Sequence, residues 1–194
     1  MNAERIELGT LAPQPWKNGA GLTREIAVAG EAGASGAFDW RISCAEVARD
    51  APFSAFPGVD RCIVLLRGAG LRLRSRDGAI DHRLTTPLAP FRFAGEAALD
   101  ATVVDGPCDD LNVMTRRGAF TSEVQVHRHA ATIDEADAAL LLAIDGRWSV
   151  GGERAPLAPM HALLWRAPSP PVATRPLDAA AALIAVRLCH DRGS

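Results

Sequence analysis

Apolar and polar residues alternate one by one through many short stretches of this chain, the period of a half-buried strand rather than of a helix face. In Phe38-Asp-Trp-Arg-Ile-Ser-Cys-Ala-Glu-Val47 the alternation puts Trp40, Ile42 and Cys44 on one face. Arg41, Ser43 and Ala45 share the other, and the pattern does not say which face is inside. Leu71-Arg-Leu-Arg-Ser-Arg76 alternates likewise and closes at Asp77-Gly78, a hairpin signal, so Arg72, Arg74 and Arg76 are expected on a solvated face. Residues 62–66 are apolar throughout and are closed by Gly68 and Gly70, which predicts a strand buried on both faces. Further strands are expected over residues 5–11, 23–28, 82–84, 91–93, 101–104, 111–114, 123–129, 138–144, 148–150 and 161–165. Gly30 to Gly36 reads as an exposed loop, and residues 179–188 suit either a helix or, from Leu183, a last strand. Many short strands with glycine and proline turns between them predict an all-β sandwich or barrel with little helix.

The pattern also repeats weakly. Leu65-Leu-Arg-Gly68 is echoed by Ala143-Ile-Asp-Gly146, and Pro87-Leu-Ala-Pro90 by Pro156-Leu-Ala-Pro159. Two stacked copies of one small, jelly-roll-like β-barrel would produce this, and the order strand, glycine turn, hairpin, proline break suggests a cupin. The halves expected are residues 1–118 and 119–194, with closing strands open to sharing between them.

Composition narrows the function classes. The 194 residues fit one domain or two fused halves, and the net charge of −2 comes without any basic block, so neither nucleic acid nor an anionic membrane is an expected partner. The first eight residues hold no signal-like apolar stretch, and the apolar run 138–144 is too short to cross a bilayer. None of the four cysteines sits in a C-x-x-C pair, which removes that kind of zinc site and points to reduced thiols and a cytoplasmic location.

Chemistry is sparse. Of the five histidines only His127 and His129 have the spacing that places two imidazoles on one strand face, and no glutamate follows at ligand distance, so no metal is expected. There is no G-x-S-x-G, P-loop or dinucleotide fingerprint, and neither Cys44 nor Cys62 is paired in sequence with a histidine. No catalytic residue and no cofactor are assigned. What remains is a polar set, Lys17, Asn18, Arg24, Arg41, Ser43, Arg61, Asn112, Arg116 and Arg117, with Trp16, Trp40, Phe53 and Phe56 beside it. Arg61 stands out, because the proline- and phenylalanine-rich loop 51–58 delivers it to the start of the apolar strand. A guanidinium fork matches a carboxylate and keeps its charge when buried. The competing reading is that each arginine is exposed or paired with Asp60, Glu25 or Glu46, and that Trp40 is core.

Four blocks carry a resemblance. Trp16-Lys-Asn-Gly-Ala-Gly-Leu-Thr-Arg-Glu25, Phe38 to Val47, Pro52-Phe-Ser-Ala-Phe-Pro-Gly-Val-Asp-Arg61 and Asp110-Leu-Asn-Val-Met-Thr-Arg-Arg-Gly118 resemble, in order and spacing, the signature blocks of the HutD/Ves family. Ala20 and Ala51 stand where the family commonly has glycine. The resemblance implies a bicupin-like fold, a homodimer, no metal, and a role beside bacterial histidine degradation, sensing an intermediate such as formylglutamate. Carried over by motif position, Asn18, Arg24, Ser43, Arg61 and Asn112 are the expected ligand-binding residues, with Trp40, Phe53 and Phe56 as aromatic walls.

The expectation is therefore a metal-free small-carboxylate binding protein acting as sensor or regulator. The alternative is a cupin-type isomerase or hydrolase using Glu25, Glu46 or Asp60 as base. A third reading is an interaction protein that presents the Phe53/Phe56 loop.

Overall fold

A computed structural model describes residues 3–30 and 38–193. Its strands, in chain order, are β1 (Glu4–Glu7), β2 (Gln14–Pro15), β3 (Gly21–Ala29), β4 (Trp40–Val47), β5 (Ala51–Pro52), β6 (Val59–Arg67), β7 (Leu71–Ser75), β8 (Asp81–Leu84), β9 (Pro90–Ala94), β10 (Leu99–Val103), β11 (Cys108–Arg116), β12 (Phe120–His127), β13 (Ala131–Ile133), β14 (Ala138–Asp145), β15 (Trp148–Val150), β16 (His161–Trp165), β17 (Val172–Pro176) and β18 (Ala182–His190). A 3-10 turn at Leu8–Thr10 is the only helical element among the described residues. The fold is thus all-β. The helix reading of residues 179–188 gives way to β18, which lies between β14 and β12 with both faces apolar. The expected loop at Gly30 to Gly36 falls, from residue 31, outside the described residues.

The chain divides into two compact units, residues 12–119 and residues 1–11 with 120–194. The first residues thus leave the half expected for 1–118. The reason is pairing: β1 lies antiparallel to β16, with Ile6 opposite Ala162.

In the 12–119 unit a six-stranded sheet, β2-β3-β4-β11-β6-β9, accompanies a four-stranded one, β5-β10-β7-β8. Inward residues of both close one core, including Ile63, Leu65, Leu71, Leu73, Leu84 and Leu99, all buried. The other unit has the sheets β1-β16-β14-β18-β12 and β13-β17-β15, with Leu141, Leu163, Leu183, Trp148 and Leu157 in its core.

The units share an internal order. In one, β4-β11-β6-β9 are neighbours; in the other, β12-β18-β14-β16. Arg61 stands opposite Met114, itself opposite Arg41; at the matching places Ala139 stands opposite Arg187, itself opposite Glu123. Each set carries a register shift that skips one residue, Leu66 in the first and Ile144 in the second. The match of Leu65–Gly68 to Ala143–Gly146 therefore holds in three dimensions. The Pro-Leu-Ala-Pro match does not. Leu88 (φ 60°) donates its N–H to the Leu65 carbonyl at 2.9 Å, and Met160 (φ 58°) donates to the Ala143 carbonyl at 2.7 Å. Leu88 thus corresponds to Met160, so Pro87 answers Pro159 and not Pro156.

Candidate functional site

Strand parity builds the floor of a cavity of about 470 Å³ within the 12–119 unit. On β4, Arg41, Ser43 and Ala45 face it; on β11, Asp110, Asn112 and Met114; on β6, Arg61. These residues meet across the sheet in rows: Arg41 and Arg61 flank Met114, Ser43 stands beside Asn112, and Ala45 beside Asp110. Thr23 on β3 extends the last row.

Two segments form the walls. Residues 14–18 bring Trp16, Lys17 and Asn18. Trp16 donates from Nε1 to Thr23 Oγ1 at 2.8 Å and meets Phe53 edge-on at 5.9 Å. Asn18 accepts from the Ala20 N–H at 3.0 Å, so its carboxamide also fixes the turn that presents Lys17. The loop after β5 brings Phe53, Ser54 and Phe56. It is pinned to the turn after β9, where Phe56 N–H donates to the Gly95 carbonyl and Gly95 N–H to the Val59 carbonyl, both at 2.7 Å. Arg117 ties the same corner together through Asp60 (2.6 Å) and Glu96 (2.5 Å), which makes it a strut.

Arg61 is 5% exposed. Its guanidinium lies 4.9 to 5.6 Å from the ring centroids of Phe93, Phe56 and Phe53, within cation–π range. Nε donates to Asn112 Oδ1 at 3.4 Å and Nη1 to the Ser54 carbonyl at 3.2 Å. Nη2 has no hydrogen-bond partner among the described residues. Burial lowers its pKa to about 10, with Asp110 opposing and Arg41 adding to the fall, so it remains a cation at neutral pH. Arg41 is neutralised by Glu25 at 2.8 Å.

Asp110 has no such partner. It is 1% exposed, and its Oδ1 makes no hydrogen bond. Burial pushes its pKa up to about 7, against the pull of Arg61 and with a further push from Asp109. The cavity thus sets cations at Lys17, Arg41 and Arg61 against one carboxyl that is half neutral near pH 7. Such a site can hold an anion with an apolar body and reach it with amide, hydroxyl and acid groups.

Of the expected ligand-binding residues, Asn18, Ser43, Phe53, Phe56, Arg61 and Asn112 line this one cavity. Arg24 does not: it stands opposite Cys44, on the other side of the sheet. Trp40 shares that opposite face and is 2% exposed, a core position. Among the proposed bases, Glu25 is held by Arg41, Asp60 by Arg117, and Glu46 has the parity of Trp40. Arg116 pairs with Asp39. Asp110 went unrecognised in the sequence, where the one available signal was its place two residues before Asn112.

No group of three His, Cys, Asp or Glu among the described residues is placed to hold a metal ion. His127 is half-buried on β12 with Nε2 unbonded, while His129 lies exposed past the strand. No described helix is long and apolar enough to cross a membrane.

Known proteins share the sequence pattern and the fold. The HutD family model matches residues 9–185. Protein Ves of Citrobacter koseri is 39% identical over 149 residues, 76% of each chain. A conserved protein of unknown function from Pseudomonas aeruginosa PAO1 is 30% identical, with a TM-score of 0.84 over 97% of this chain and 100% of its own. HutD from Pseudomonas fluorescens SBW25, in its formate condition, reaches the same TM-score at 24% identity, covering 97% and 99%. A cupin 2 conserved barrel protein from Leptotrichia buccalis, at 10% identity and a TM-score of 0.55, shares the fold alone. The fold is cupin-like, and the chain belongs to the HutD family.

Proposed function

We propose that this chain is a metal-free binding protein for a small carboxylate, formylglutamate or a related acid, and that it acts as a sensor or regulator of histidine utilisation. The observation that carries the reading is Arg61: buried, charged, ringed by three phenylalanines, with Nη2 left for a ligand. A buried cation without a carboxylate bound to it is costly in a folded protein, and an entering anion relieves that cost. Asn112 and Ser43 stand close enough in the sheet to receive an amide or a second carboxylate. The family resemblance supplies the pathway, and also a homodimer, which sedimentation of the purified chain tests.

The test is a thermal-shift titration with urocanate, formylglutamate, formiminoglutamate, glutamate and formate. A ligand that binds only the folded state raises stability by about 2.7 kcal/mol at a hundred times its Kd. One acid is expected to raise Tm, and Arg61→Ala to weaken its binding by about 2 kcal/mol, close to thirtyfold. No shift with any of the five acids would defeat the reading.

Asp110 favours a second reading, a cupin-type enzyme acting on a small organic acid, since a buried acid with a pKa near 7 suits proton transfer. Product analysis after incubation with the same acids separates the two: turnover lost in Asp110→Asn would establish the enzyme.

A further inference from the structure

We propose that the cavity takes up one proton at Asp110 when a carboxylate binds to Arg61, so that Asp110 makes the site selective for anions in a pH-dependent way. The inference rests on the carboxylate-binding reading above and adds the residue that sets its charge. Asp110 lies on the cavity floor, 1% exposed, with Oδ1 unbonded, and shares that floor with Arg61 without touching it in an ion pair.

An anion seated on the free Nη2 of Arg61 brings a second negative charge onto the floor that holds buried Asp110. With Arg41 already held by Glu25 and Lys17 exposed at the wall, two carboxylates beside the buried Arg61 cannot both stay ionised cheaply, so one takes a proton. Asp110 is the one that does, because it is already half neutral near pH 7 and a ligand carboxylate is a far weaker base. Its O–H then has an acceptor in the ligand, a charge-assisted bond.

The other groups around Asp110 leave it as the titrating site. Arg61 on β6, Arg41 on β4 and Lys17 on the 14–18 wall are cations facing the cavity, and Glu25 on β3 is bound to Arg41. Asp109 precedes it on β11. The Cys108 thiol is pushed up to about 12, and Cys44 is raised further, both mainly by burial. No histidine lines the cavity.

The test is an NMR titration of the full chain with formate, the smallest carboxylate, at several pH values from 6 to 8.5. It is paired with calorimetry in two buffers of different ionisation heat, which counts protons directly. Wild-type affinity is expected to fall about tenfold as pH rises from 7 to 8.5, with proton uptake approaching one per formate at the upper end. Asp110→Asn, the shape of the protonated acid, is expected to bind formate with the same affinity throughout. Flat wild-type affinity with no proton uptake overturns the proposal while leaving the binding reading intact, as does a pH dependence that persists in Asp110→Asn. Should that variant not fold, the proton count on the wild type decides alone. Absence of formate binding at every pH overturns this proposal, while the reading beneath it falls only if the other four acids also fail to raise Tm.

Discussion

Burial acts in opposite senses on Arg61 and Asp110. The guanidinium starts so far above neutrality that a fall to about 10 leaves it charged, whereas the carboxyl rises to about 7 and loses its charge where proteins work. The stability consequence follows from linkage. Between 3.8 and about 7 the folded chain holds a proton on Asp110 that the unfolded chain has released, so the group's contribution declines as pH rises through that window. Above it the penalty has a ceiling of about 4 kcal/mol. Asp110→Asn is therefore expected to melt above the wild type at pH 8, with a gap that closes toward pH 5. Melting curves across this range check it, and a gap independent of pH would contradict the assignment. A stability cost retained at a cavity wall is what a binding function would explain, since an apolar residue there would fold better.

At the scale of elements, the site is a sheet face plus two walls, and each part announces itself differently in the sequence. The alternation on β4 and β11 is legible, so Ser43 and Asn112 can be placed on one strand face each. The register that sets them side by side is not. Arg24 shows the limit of motif position: its place in the Trp16–Glu25 block is right, but strand parity turns it away from Thr23 and the cavity. Asp109 and Asp110 are indistinguishable as letters, and it is the strand parity shared with Asn112 and Met114 that turns Asp110 inward. The aromatic wall depends on a contact that no sequence pattern marks, the backbone pairing of Phe56 with Gly95. A Cβ at Gly95 would lie 2.6 Å from the Phe56 carbonyl oxygen and 2.7 Å from that of Val59. These are backbone atoms, so the loop must move. Gly95→Ala is expected to cost about 1–3 kcal/mol of stability. It should also weaken carboxylate binding about tenfold by withdrawing Phe56 from Arg61. Binding unchanged beside a lowered Tm would show that the phenylalanine wall does not matter to the ligand.

At the scale of the whole molecule, the two units carry the same strand order and unequal chemistry. Where one has Arg61, Asn112 and Asp110, the other has Ala139, Ala185 and Leu183, and its Arg187 is ion-paired with Glu123 at 2.5 Å. The second set of sheets packs a hydrocarbon core, and the cavity proposed to take an anion lies within residues 12–119. The chain's first strand nevertheless serves the unit without the site. β1 covers the edge of β16, Ile6 and Leu8 are buried, and Leu8 N–H bonds the Met160 carbonyl at 3.1 Å. Deleting residues 1–8 uncovers a strand edge whose backbone groups then seek other partners, a route to aggregation. In that variant, hydrogen exchange measured by mass spectrometry is expected to lose protection over 161–165 and to keep it over 59–67, with carboxylate affinity retained. Ile6→Ala is the milder form, with an expected loss of about 2–4 kcal/mol that leaves Arg61 and its ligand untouched. Loss of protection first in β6 would mean that the N-terminal strand supports the binding unit, and the division of labour between the halves would fall.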